Sequence, residues 1–264
     1  LRAAQKEDRR RARRGNGEVM NTFGITDRGA VRRDNQDSFL IERLDDRECV
    51  IAVLCDGMGG EKAGNIASDL AVKTYVAELR DRILSNKKRK PDIKGMMAAA
   101  CHAANHMIYP FSGFDTDYPG MGTTMVSAVI YGDTAYVLNV GDSRCYKLGR
   151  KRMAQVTRDH SLVQDMVERG EITPEQARVH PRRNVITRAL GVNELVPCDI
   201  FTPKLQRGEM LLLCSDGLTN MLEDREILAF SRRNTDPLSL GRALMAEALE
   251  RGARDNVTIV IISK

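Results

Sequence analysis

The residues best placed to do chemistry are aspartates at the ends of apolar runs. Val53-Leu54-Cys55 leads into Asp56-Gly57, Leu138-Asn139-Val140-Gly141 into Asp142-Ser143, and Leu213-Cys214-Ser215 into Asp216-Gly217. Asp255-Asn256 opens the run from Val257 to Ile262, and Asp37 precedes the apolar stretch Phe39-Leu40-Ile41. Read as strands, such runs can bring their terminal carboxylates to one edge of a sheet. Like charges gathered there repel unless a cation sits among them. An oxygen-only donor set, without His or Cys, suits a hard divalent ion, Mg²⁺ or Mn²⁺, rather than zinc. The rival reading at each position is turn chemistry, because Asp-Gly is a common way to leave a strand. Spacing alone leaves both readings open.

The strands that must carry these residues are short, rich in Val, Ile and Leu, and bounded by Gly, Asp or Asn. They cover residues 50–55, 123–131, 134–140, 210–214 and 256–262. Tyr131-Gly132-Asp133-Thr134 reads as a tight hairpin turn between the second and third. Helices lie between the strands. Val72, Tyr75, Val76, Leu79 and Ile83 share one helix face, and a second helix covers residues 93–108. Thr173-Pro174-Glu175-Gln176 is a capping-box start, and Asp236-Pro237 opens a last helix. Hairpin neighbours imply antiparallel pairing, which favours a layered α+β domain over a doubly wound parallel sheet.

The 264 residues, 42% hydrophobic and 29% charged, suit a folded globular chain and exclude disorder throughout. No apolar run approaches the ~20 residues that span a bilayer, and no apolar segment follows the basic start as in a secretory signal. The sequence opens at Leu1 rather than Met, as a processed or excised chain does. The net charge of +5 is local: residues 1–17 hold seven basic and two acidic residues, and the remainder balances at 34 of each. Residues 1–17 therefore read as a flexible basic arm and 18–264 as one domain with no charge signature for specific nucleic-acid binding. The six cysteines form no CxxC pair, which argues for reduced thiols and a cytoplasmic protein.

Six segments occur in a telling order: Arg32-Arg33-Asp34-Asn35-Gln36-Asp37, Asp56-Gly57-Met58-Gly59-Gly60, Gly120-Met121-Gly122-Thr123-Thr124, Gly141-Asp142-Ser143-Arg144, Ser215-Asp216-Gly217-Leu218 and Asp255-Asn256-Val257-Thr258. Together they resemble the ordered motifs of the type-2C, metal-dependent (PPM) serine/threonine protein phosphatases, bacterial branch. The resemblance implies an αββα sandwich, two antiparallel sheets flanked by helices. It implies two or three Mn²⁺ or Mg²⁺ ions per domain. Asp56 would bridge two of them, the Gly57 carbonyl would bind one, and Asp216 and Asp255 would complete the other. Asp142 with Asp216 would form a third site, Asp37 would hold metal-bound waters, and Asn256 would support Asp255. Arg32 would grip the substrate phosphate as a bidentate fork. A hydroxide bridging the metals would then attack phosphorus in line, with no protein nucleophile.

That expectation is consistent with what the sequence lacks. No cysteine has Arg six positions on, and neither a nucleophile elbow nor a Walker A segment is present. Met58 and Gln36 stand where animal members carry His and Glu, which leaves the general acid unassigned. The expected partners are phosphoprotein substrates and a cognate serine/threonine protein kinase. The rivals are a phosphoprotein-binding pseudophosphatase, a switch phosphatase with one dedicated partner, and a nucleic-acid module led by the arm.

Other features read as ordinary structure. His102 and His106 lie one helical turn apart but lack the Glu of a zinc-helix motif. Asp115-Thr116-Asp117 sits in a Pro-flanked loop rather than at a buried strand end. Gly57-Met58-Gly59-Gly60 fits backbone approach to the metals better than a phosphate cradle. Residues 87–90 form a solvated loop. Residues 157–191 correspond to the variable flap of bacterial members; their arginines fit either substrate contact or a solvated subdomain.

Overall fold

Along the central strands alternate side chains are all apolar, so both faces of each strand must be covered. In the run from Cys49, Ile51, Val53 and Cys55 take one side while Val50, Ala52 and Leu54 take the other, and all are buried. The computed structural model describes residues 12–13, 19–60, 63–113, 118 and 120–264. Its elements run β1 (Ala12–Arg13), β2 (Val19–Asp27), β3 (Asp37–Leu44), β4 (Cys49–Met58), α1 (Ala63–Ser85), α2 (Ile93–Ile108), β5 (Gly122–Thr123), β6 (Met125–Tyr131), β7 (Thr134–Val140) and β8 (Arg144–Leu148). There follow β9 (Met153–Gln155), α3 (Leu162–Glu168), α4 (Pro174–Val179), β10 (Asp199–Phe201), β11 (Met210–Cys214), α5 (Asp216–Thr219), α6 (Asp224–Arg233), α7 (Pro237–Glu250) and β12 (Val257–Ser263).

The strands form two antiparallel sheets, ordered β1-β2-β12-β11-β8-β9 and β10-β7-β6-β4-β3, with β5 paired to β4. Three apolar layers hold them together. Val50, Leu54, Val126, Val137, Leu213 and Val260 fill the space between the sheets. Ile51 and Val53 pack with Tyr75, Leu79 and Met97 of α1 and α2 on one outer face. Phe23, Leu212 and Ile261 pack with Leu240 and Leu244 of α7 on the other. The fold is thus the αββα sandwich that the motifs imply. No helix among the described residues is long and apolar enough to cross a membrane.

Local signals set the helix starts as expected. Gly95 N–H donates to the Asp92 side chain (3.0 Å), capping α2, and Thr173 with Gln176 closes the capping box of α4. Asp236 caps α7 ahead of Pro237. Two expectations need correction. The strand expected over 123–131 is split, because Thr124 leaves the ladder and takes the Asp56 N–H on its own Oγ1 (3.0 Å). The strand expected over 256–262 starts at Val257, because Asn256 turns its amide to other loops. Within the expected arm, Ala12 and Arg13 pair with Met20 and Val19 at the sheet edge; the rest of 1–17 lies outside the described residues.

The start of α1 touches the end of β4 closely. A Cβ built on Gly57 would lie 2.1 Å from the Gly64 carbonyl oxygen, so only glycine admits this approach. Gly57→Ala should therefore destabilise the metal-free protein by at least about 1–3 kcal/mol, the usual cost of overpacking against backbone. Urea denaturation checks it; an unchanged midpoint would mean that α1 is not seated on β4 there.

Candidate active site

Strand parity builds the site. On β4, Val50, Ala52 and Leu54 face the opposite sheet, and Asp56 continues that series past the apolar layer. Asp37 shares parity with Phe39 and Ile41 and is the register partner of Asp56. On β12, Thr258 shares parity with Val260 and Ile262; after β11, Ser215 follows Leu211 and Leu213. The inter-sheet core thus ends in a polar rim.

Asp37 is buried there, and its Oδ2 accepts from Ser215 Oγ (2.8 Å) and Thr258 Oγ1 (2.7 Å). Its Oδ1 is also buried and has no hydrogen-bond partner among the described residues. Asp56, Asp142, Asp216 and Asp255 are half-buried and line a cleft of about 540 Å³ together with Arg32, Gly57 and Asn256. Asn220 Nδ2 donates to Asp216 Oδ2 (3.0 Å). Asn256 stitches the rim: its side chain accepts from Gln36 N–H (2.8 Å) and donates to the carbonyls of Arg28 (2.9 Å) and Asp34 (3.0 Å). The loop carrying Arg32 is thereby fixed beside β12.

Burial, reinforced by neighbouring charges, raises the carboxyl pKa values. Burial pushes Asp37 up to about 7, against the pull of its Thr258 and Ser215 hydrogen bonds. Burial, then the charges of Asp216 and Asp159, push Asp142 up to about 7. Burial and Asp255 push Asp216 up to about 6. Asp56 is raised well above the carboxylate range by burial, with Asp37, Asp216, Asp142 and Asp255 all adding to it. Arg32 answers them from the cleft wall, where its Nη2 donates to Asp255 Oδ2 at 2.8 Å, and the charge of Arg144 also pulls Asp142 and Asp216 down.

A hard cation fits this donor set. The oxygens are carboxylate, one of them is buried without a partner, and burial, reinforced by mutual repulsion, penalises their charge until a cation offsets it. Among the described residues no three acidic, His or Cys side chains close a metal-ligand group by themselves. An ion would therefore need backbone carbonyl and water ligands as well, as Mg²⁺ and Mn²⁺ commonly accept.

A family model for protein phosphatase 2C matches residues 29–251. The chain belongs to the protein phosphatase 2C family. It is 34% identical over 246 residues to the serine/threonine phosphatase Stp of Listeria innocua, across 90% of this chain and 94% of that one. Among solved structures it is similar to the serine/threonine phosphatase Stp1 from Staphylococcus aureus, with a TM-score of 0.84, 34% identity, and coverage of 94% of this chain and 96% of that chain. It is also similar to the catalytic domain of the serine/threonine protein phosphatase PstP, solved in complex with 2 manganese ions, with a TM-score of 0.77, 32% identity, and coverage of 92% and 97%.

This protein phosphatase 2C domain brings all the candidate residues to one rim. Arg32, Asp56, Gly57, Asp142, Asp216 and Asp255 line the cleft, and Asp37 lies behind it. Asn184 and Ile186 of the 157–191 segment form part of the wall. His102 and His106 are exposed on α2, and Asp115-Thr116-Asp117 lies outside the described residues. Sequence reasoning gave no role to Thr124, Ser215, Thr258 or Asn220. Thr124, Ser215 and Thr258 lie within the quoted segments, but their contacts depend on register between distant strands; Asn220 follows a quoted segment and reaches Asp216 one helical turn away.

The raised carboxyls make a pH test. Their folded pKa values lie above the unfolded ones, so the fold binds protons more tightly than the unfolded chain. Stability of the metal-free protein should then fall as pH rises from about 4 through the folded values near 6 and 7, and level off above. Melting in EDTA should give a lower Tm at pH 8 than at pH 5, and Asp216→Asn should narrow the gap. A gap that the substitution leaves intact would mean the cluster is not its source.

Proposed function

We propose that this protein is a bacterial-type, metal-dependent serine/threonine protein phosphatase acting on phosphoserine and phosphothreonine in proteins. The observation that carries this reading is the rim itself: crowded carboxylates with one unpartnered buried oxygen, open to a cleft that also presents Arg32. Two or three Mn²⁺ or Mg²⁺ ions would be held by Asp56, the Gly57 carbonyl, Asp216 and Asp255, with Asp142 and Asp216 forming the third position. When bound, such ions lower the pKa of a shared water and offset phosphoryl charge.

The remaining work falls to the chain. Ser215 and Thr258 fix one oxygen of Asp37, which leaves the other, buried and without a described partner, to hold metal-bound water. Thr124 fixes the backbone at Asp56, and Asn220 fixes one oxygen of Asp216. Arg32 is half exposed, so its fork can exchange Asp255 for a phosphate dianion once cations satisfy the carboxylates. None of the residues lining the described cleft is a histidine or a cysteine, so phosphohistidine and phosphocysteine intermediates have no nucleophile there. The domain runs from 18 to 264 with the flap over 157–191, and a cognate serine/threonine kinase and a cytoplasmic setting complete the reading. The six free cysteines accord with that setting.

Excess EDTA should abolish turnover of a phosphothreonine peptide, and Mn²⁺ should restore it. Asp56→Asn should lower kcat by about 100-fold or more, with the circular dichroism spectrum unchanged. Undiminished turnover in EDTA, or a near-normal kcat in the variant at saturating Mn²⁺, would refute the metal assignment.

Arg32→Ala should lower kcat/KM roughly ten- to hundred-fold, the value of one or two charge-assisted hydrogen bonds. Mn²⁺ affinity measured by calorimetry should not weaken. Collapse of metal affinity would make Arg32 a structural partner of Asp255 instead.

A further inference from the structure

His160 lies between β9 and α3, its side chain fully buried and outside the cleft lining. Two hydrogen bonds join it to Gly141, the residue before Asp142. Its own N–H donates to the Gly141 carbonyl (2.9 Å), and Gly141 N–H donates to its Nδ1 (3.0 Å). On the far side of the ring, Nε2 lies 3.0 Å from Asp199 Oδ2. Asp199 Oδ1 in turn accepts from Arg188 Nη1 (3.1 Å).

This geometry selects one tautomer. A backbone N–H only donates, so Nδ1 must carry a lone pair and the ring proton must sit on Nε2, facing Asp199. Arg188 Nη1 is also 3.2 Å from Nε2, but a protonated Nε2 cannot accept, so the arginine bonds to Asp199. Burial keeps the ring below its ordinary pKa; Asp199 opposes that shift and Arg188 reinforces it.

The other side of Gly141 is equally confined. Its φ is +106°, and a Cβ there would meet Thr124 Cγ2 at 2.6 Å. Thr124 Oγ1 is the group that takes the Asp56 N–H and also bonds Ser143 Oγ (2.7 Å). The Gly141 turn is therefore wedged between the residue that holds Asp56 and the ring of His160. The His160 carbonyl also accepts from Thr187 N–H (2.8 Å), next to the cleft-lining Ile186.

We propose that His160 is a positioning residue: fixed as the Nε2–H tautomer by Asp199, it holds the Gly141–Asp142 turn at the spacing from Asp56 that phosphoester hydrolysis requires. The catalytic part of this inference rests on the phosphatase reading, whereas the tautomer does not.

Two measurements test it. In metal-free wild-type protein, long-range ¹H–¹⁵N spectra should show His160 as a neutral ring protonated at Nε2. Three variants then separate positioning from bulk packing. Asn places an acceptor near the Nδ1 position and Gln near the Nε2 position. His160→Asn should thus stay within a few-fold of wild-type kcat, while His160→Gln should lose about tenfold or more, with KM little changed in both. Asp199→Asn can turn its amide NH₂ toward the ring, drive the proton to Nδ1 and set two donors against each other. It should lower kcat likewise, and it supplies the test if His160→Gln fails to fold. An Nδ1–H ring in the wild type, equal losses in the Asn and Gln variants, or unchanged kcat in both His160→Gln and Asp199→Asn would overturn the proposal. A folded wild type that cannot turn over a phosphopeptide would sink the phosphatase reading instead, and the spectrum would still decide the tautomer.

Discussion

Repulsion among carboxylates is the constraint on which this structure turns. Asp37, Asp56, Asp142, Asp216 and Asp255 share one rim, and burial sets four of them well above ordinary carboxyl pKa values. A fold gathers such groups only if something else holds the backbone around them. Here that support is supplied by neutral hydrogen-bonding side chains: Thr124, Ser215, Asn220, Asn256 and Thr258. They fix the carboxylates without neutralising them, so the charge stays available to cations.

The sandwich supplies the geometry at low cost. Apolar residues of two sheets fill the interior, and the same strand faces continue as polar residues where the sheets splay open. No dedicated loop has to carry Asp37 or Asp56, since both sit on paired strands in register. Loops carry Arg32 and Asp142 instead, and each is tied down, the first by Asn256 and the second by His160. Rigid carriers for the acidic floor and tethered loops for the wall suit a site that must keep spacing while admitting a substrate.

Much of this was legible in the sequence, for a physical reason. β4 and β11 carry continuous apolar runs because both their faces are buried, and those runs give way to Asp56 and to Ser215-Asp216 because the rim begins there. β2 was harder to bound: Phe23 and Ile25 alternate with Thr22, Gly24 and Thr26, so its outline blurs into loop chemistry. Short β8, β9 and β10 are defined by their neighbours rather than by their own pattern. The acidic residues of the site were visible through motif order. Of their supporting side chains only Asn256 was, through its motif; the hydroxyls of Thr124, Ser215 and Thr258 were not, because a serine beside an aspartate acquires a role only from the strand across from it. Arg32 shows the same limit, since its pairing with Asp255 spans the sheet edge rather than any local segment.

The hydrogen bond from Thr258 to Asp37 joins residues 221 positions apart. β12, which bears Thr258, is an interior strand, flanked by β2 on one side and β11 on the other. During synthesis from the N-terminus, β2 and β3 leave the ribosome long before their partner exists. Until β12 inserts, the first sheet stays in two pieces, Asp37 lacks its Thr258 donor and Asp255 is not yet in the tunnel's output. Nascent chains therefore carry no assembled site, and activity switches on only after nearly all of this sequence has been translated. Such late closure over long sequence separation also points to slow folding with exposed strand edges in the interim, a stage at which chaperone capture is most effective.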